Sequence, residues 1–145
     1  MTNDSDILAE RLRPVMLKLS RHLRREAQGG GMSALDAQIL GIIFKQQGVG
    51  ISELAEIEQM SRPTMSVHIK RLEAAGWLTR AAAVTGGDRR RASLALSKAG
   101  KAALMAVRRS RNDWLAARVS RLTADERHRL DAAIEPLVRL VEMAA

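Results

Sequence analysis

In 145 residues the chain sets 24 lysines and arginines against 16 acidic residues, for a net charge of +8, and 46% of it is apolar, enough for one ordinary domain with a real core. There is no cysteine, which excludes disulfides, thiol redox sensing and zinc–thiolate sites. No run approaches the ~20 apolar residues of a membrane span, and the polar, acidic start does not read as a signal peptide, so a cytoplasmic protein is expected. Arginine outnumbers lysine nineteen to five. Because guanidinium offers bidentate contacts to phosphate and guanine that ammonium cannot, nucleic acid leads over a membrane surface as the anionic partner.

The only aromatics are Phe44, Trp77 and Trp114, so the core has to be built from aliphatic residues, which suits close helix packing. Residues 6–28 carry Leu8, Leu12, Val15, Leu19 and Leu23 at three- and four-residue steps, an amphipathic helix disturbed by Pro14 and ended by three glycines. A second helix is expected from residue 33 or 35 to about 47, with Leu35, Ile39, Leu40, Ile43 and Phe44 facing inward. Ser52 is the expected N-cap of a short third helix containing Leu54, Ala55 and Ile57.

Ser61 is expected to cap a fourth helix, with Pro63 in its first turn and Gly76 at its end. Met65, Ile69 and Leu72 form its buried stripe. Arg62, Pro63, Ser66, Val67 and Lys70 then point outward, a face of small, polar or basic groups with no acid, which can enter a major groove without repulsion. Residues 77–81 and 92–96 read as short strands around the tip Gly86-Gly87-Asp88-Arg89-Arg90-Arg91. Ser97 is expected to cap a long fifth helix from residue 98 to about 122, with Leu104, Val107, Trp114, Leu115 and Val119 apolar. Thr123 and Glu126 make a capping box for a sixth, with Leu130, Ile134, Leu137, Val138 and Val141.

Helix, turn, helix and basic hairpin in that order describe a winged helix, in a chain that is mainly α with a small β-wing (α+β). From residue 61 to 91 seven cationic side chains face only Glu73 and Asp88. The outer helices each have an apolar stripe and little of their own chain to cover it, so a twofold dimer with interdigitated terminal helices is expected.

Five segments form an ordered set: Glu53-Leu54-Ala55-Glu56 with Glu58, Ser61-Arg62-Pro63-Thr64-Met65-Ser66, Arg71-Leu72-Glu73-Ala74-Ala75-Gly76-Trp77-Leu78, Asp88-Arg89-Arg90-Arg91 and Leu94-Ala95-Leu96-Ser97-Lys98-Ala99-Gly100. In these residues and their spacing the chain resembles, over nearly its full length, the MarR family of bacterial transcription regulators. The resemblance implies a homodimer on double-stranded DNA, with residues 33–97 as the winged helix-turn-helix region and residues 6–28 and 98–143 as dimerisation helices. It implies a repressor of a pseudo-palindromic operator, often released by a small anionic or phenolic effector, and no cofactor. It places Ser61, Arg62, Pro63, Thr64, Ser66, Val67, Lys70 and Arg71 at the major groove. Arg90, oriented by Asp88 and flanked by Arg89 and Arg91, would enter the minor groove. Two departures stand out. Val67 occupies a position where the family often has arginine, and His68 one where an aliphatic residue is common.

Arg108, Arg109 and Arg111 read as surface or intersubunit partners. His22, His68 and His128 lack metal-ligand spacing, and Asp36, Glu53, Glu56 and Glu58 read as helix-start and surface acids. No nucleophile–base order, phosphate loop or paired carboxylates stand out, so an enzyme is not expected. The alternative is an architectural protein that coats DNA with weak specificity, which Val67 in place of arginine slightly favours.

Overall fold

The computed structural model of the protein describes residues 3–26, 31–81 and 93–144. Six helices and one two-stranded sheet follow in the order α1 (Asp4–Glu26), α2 (Ala34–Lys45), α3 (Ile51–Ile57), α4 (Arg62–Ala74), β1 (Leu78–Ala81), β2 (Ser93–Leu96), α5 (Lys98–Val119) and α6 (Ala124–Glu142). The chain divides into two compact units, Met1–Arg111 and Asn112–Ala145.

The core lies in the first unit, where Ile39, Leu40, Leu54, Met65, Ile69 and Leu72 have no exposed surface and Leu78, Leu94, Leu104 and Val107 close around them. The expected stripe of α4 is therefore buried along its length. Helix starts follow their caps. Ser33 Oγ accepts from the Asp36 amide at 3.1 Å while the Asp36 carboxylate accepts from the Ser33 amide at 3.1 Å, a reciprocal box at the head of α2. Ser61 caps α4 by accepting from the Thr64 amide. Gly76 ends it at φ +83, a left-handed conformation that a side chain would oppose. The expected cap at Ser52 is not made: α3 begins two residues earlier than that cap implies, at Ile51, and its N-cap is Gly50 without a side-chain bond.

β1 and β2 are antiparallel, with Leu78 opposite Leu96 and Arg80 opposite Leu94. At the start of α5 two bonds stitch the chain to the entrance of β1. The Ser97 amide donates to Trp77 O at 3.0 Å, and Ser97 Oγ donates to Gly76 O. The same hydroxyl accepts from the Gly100 amide at 3.0 Å, so Ser97 is the cap expected of it. The helix comes so close here that a Cβ on Gly100 would stand 2.1 Å from the Trp77 carbonyl oxygen.

Phe44, expected inside, is 40% exposed. Its ring lies under the Arg108 guanidinium, 5.4 Å from the centroid, so a cation shields the face that periodicity assigned to the core. Arg111 Nε donates to the Leu23 carbonyl at 3.1 Å, in the last turn of α1. Of the three basic residues read as surface partners, two thus hold positions within the first unit.

α1 continues through Pro14 and has no buried residue; Leu8 and Val15 are more than half exposed. In the second unit Thr123 and Glu126 form the expected capping box of α6. The Arg118 guanidinium lies over the Trp114 ring at 3.8 Å. α6 also has no buried residue, and Leu130, Ile134, Val138 and Val141 are exposed. No described helix is long and apolar enough to cross a membrane.

Candidate nucleic-acid interface

α3 and α4 pack against each other across a tight turn. The Met60 amide closes it by donating to Ala55 O at 2.9 Å, and Gln59 takes φ 53 between them. This five-residue return is a Schellman-type helix end in which a residue other than glycine occupies the left-handed position. Gln38 Nε2 donates to both oxygens of Glu58 at 2.8 Å, which ties the end of α3 to α2. Glu58 is thus a bracing acid rather than a solvated one.

With Met65, Ile69 and Leu72 held inside, geometry sends the opposite side of α4 outward. Ser61, Arg62, Pro63, Thr64, Val67 and Lys70 are exposed and Ser66 is half-buried. Val67 is 65% exposed, an apolar side chain at the centre of a polar face. Ser61 Oγ also donates to Thr64 Oγ1 at 2.7 Å, so both hydroxyls at the helix start are pre-oriented. No acid lies on the outward face of this helix; its one acid, Glu73, accepts from Arg80 Nε at 2.7 Å.

Arg71 is placed differently from its expected neighbours. Its Nη2 and Nη1 donate to the two carboxylate oxygens of Asp36 at 2.5 and 3.1 Å. The Asp36 side chain is 2% exposed, the Arg71 side chain 48%. Burial pushes the Asp36 carboxyl up, but the Arg71 fork and the two Ser33 bonds outweigh it and leave the group below its ordinary value. Asp36 does serve a helix start, as expected, but as a buried anchor of α4 and not as a surface acid. Arg71 Nη2 also lies 3.1 Å from His68 Nδ1.

The structure therefore brings the expected α4 residues onto one exposed face and commits Arg71 to a bridge with α2. Asp88, Arg89, Arg90 and Arg91, expected at the wing, lie outside the described residues. Sequence reasoning missed Asp36 as a partner of Arg71; thirty-five positions separate them, and only the pairing of an acid at the third position of a capped helix with a basic residue on another helix hinted at it. Among the described residues no group of three or more His, Asp or Glu side chains is placed to hold a metal ion.

Comparison with known proteins gives a consistent result. The sequence pattern of the MarR family matches residues 32–90. An uncharacterised HTH-type transcriptional regulator of Mycobacterium bovis is 30% identical over 140 residues, covering 96% of each chain. A solved protein of Pseudomonas aeruginosa, named for a regulatory role in transcription, is 32% identical with a TM-score of 0.85 over 99% of this chain and 100% of its own. A mutant of Staphylococcus aureus MepR bound to an oligodeoxyribonucleotide shares the fold, with 18% identity and a TM-score of 0.68 over 93% of this chain and 98% of its own.

Proposed function

Because the chain belongs to the MarR family of transcriptional regulators, we propose that it acts as a homodimeric, sequence-specific repressor of a pseudo-palindromic operator. The observation that carries the proposal is the exposed, acid-free face of α4, set on a buried stripe and braced from α2. Phosphate neutralisation by Arg62, Lys70 and the wing arginines supplies affinity, and the α4 face supplies readout in the major groove. Asp88, Arg89, Arg90 and Arg91 enter from the sequence, with Arg90 at the minor groove and Asp88 orienting it. A small anionic or phenolic effector that releases the operator belongs to the same reading through the family resemblance.

Selection of bound duplexes from a random pool at near-physiological salt tests this. The expected result is a palindrome with half-sites about 10 bp apart and a preference over random DNA above ~10³. Exposed Val67 cannot donate to guanine but can touch a thymine methyl, so one position per half-site is expected to favour thymine and to lose that preference in Val67→Ala. Enrichment of no motif, with binding that collapses as salt rises, supports the architectural reading instead.

The dimer rests on the bare apolar faces of α1 and α6. Side chains such as Ile134, 55% exposed, and Val138, 46% exposed, contribute little to the monomer fold and are suited to burial against a second copy. Sedimentation of the wild type at micromolar concentration is expected to give the mass of two chains. Val138→Asp is expected to weaken association by about a hundredfold or more, because an unpaired carboxylate would be buried. A variant that stays dimeric would remove α6 from the interface.

A further inference from the structure

Resting on the DNA-binding reading above, we propose that Asp36, Arg71 and His68 form a relay that fixes His68 as a one-proton donor at the edge of α4, where it reads an acceptor on a base in the major groove. His68 is then a specificity-determining residue, and Arg71 a positioning residue that acts through it.

The relay begins at Asp36, whose carboxylate is held on one side by the Ser33 amide and on the other by both Nη atoms of Arg71. A guanidinium fixed by two parallel bonds has its plane and direction set. Its Nη2 then lies 3.1 Å from His68 Nδ1. Guanidinium nitrogens donate and never accept, so Nδ1 must present its lone pair, and the ring hydrogen resides on Nε2. Among the described residues Nε2 has no protein partner, and no buried polar side-chain atom is left unsatisfied, so this donor faces solvent.

The placement suits readout. His68 is half-buried, adjacent to exposed Val67, and lies between Thr64 one turn before and Arg71 one turn after. It therefore borders the outward face instead of opposing it. A lone N–H with no acceptor beside it discriminates in the groove. Guanine offers two acceptors there, and adenine and thymine one each, whereas cytosine presents only a donor to that edge. An aliphatic residue could do none of this, and the outward face has no arginine at the Val67 position to provide it.

The relay and the base contact are tested separately. In the full-length protein labelled with 15N, the imidazole nitrogens of His68, assigned by their loss in His68→Gln, are expected to show a protonated Nε2 and a bare Nδ1 at neutral pH. A protonated Nδ1 would overturn the relay. Arg71→Gln is expected to shift the ring nitrogens toward a mixture of tautomers, a change that a purely structural role for Arg71 would not produce. Duplex selection with His68→Leu, which fills the same half-buried site, is expected to lose a discrimination against cytosine of about fivefold at one position per half-site, the lower end of what a direct base contact provides. His68→Gln, which keeps a donor near Nε2, is expected to retain it. If His68→Leu selects the wild-type motif unchanged, the base contact is wrong and the DNA-binding reading stands. If the wild type selects no motif, both are wrong, and the nitrogen shifts still report on the relay alone.

Discussion

Gly100→Ala is expected to lower the free energy of unfolding by at least about 3 kcal/mol, although helix propensity alone would favour alanine there by about 1 kcal/mol. The two effects have opposite signs, so the experiment decides between them. The added methyl would lie 2.1 Å from Trp77 O and 2.9 Å from its carbonyl carbon. Both are backbone atoms, which cannot rotate away as a side chain could. Relief requires α5 to move off the entrance of β1, and that would stretch the Ser97–Trp77 and Ser97–Gly76 bonds. Ser97→Ala removes the hydroxyl but leaves the close approach, so a smaller loss of about 1 kcal/mol is expected from it. Urea denaturation of the two variants beside the wild type checks the order. A Gly100→Ala loss below about 1 kcal/mol would mean that α5 shifts without penalty.

The second large effect is at Arg71. Arg71→Ala is expected to cost about 3 kcal/mol, the low end for breaking a buried ion pair, because the guanidinium side is half exposed and water can reach the vacated site. Acidity separates this from simple loss of packing. The folded protein holds the Asp36 carboxyl below its ordinary value. The pair's contribution is therefore complete above the unfolded carboxylate pKa near 3.9, and it disappears as pH falls through the lower folded value. Urea midpoints at neutral pH and near pH 3 should show a steep acid loss in the wild type and a shallower one in Asp36→Asn, which has no charge to lose. Equal slopes in the two proteins would show that other carboxylates govern the acid limb.

The parts of this arrangement that were legible in the sequence are those written at short range. Met65, Ile69 and Leu72 declare a buried stripe by spacing alone, and Ser61, Thr123 and Ser97 declare caps because their partners lie three residues on. Ser52 misled because it is the second residue of α3, where the Leu54 amide two residues on already donates to Gly50 O; Gly50 holds the cap position. Phe44 misled because periodicity gives a face but not its neighbour, and the neighbour is Arg108, sixty-four positions away. The Asp36–Arg71 bridge and the contact at Gly100 are tertiary in the same sense. Gly100 appeared only as one letter of a family pattern, and its reason is the nearby carbonyl oxygen of Trp77, in a different turn.

The return between α3 and α4 closes on Gln59 in a conformation that costs a residue with a Cβ roughly 1 kcal/mol or more. Together with the Glu58 brace and the Arg71 fork, it leaves α4 little freedom to slide or tilt within its own unit. If α4 reads DNA as proposed, a helix this stiff could not adjust itself to a poorly fitting site, and the compliance would have to come from the duplex. Pliable pyrimidine–purine steps at positions that no side chain touches would then contribute to recognition as deformability, and operators of equal contact sequence would rank by how readily they bend.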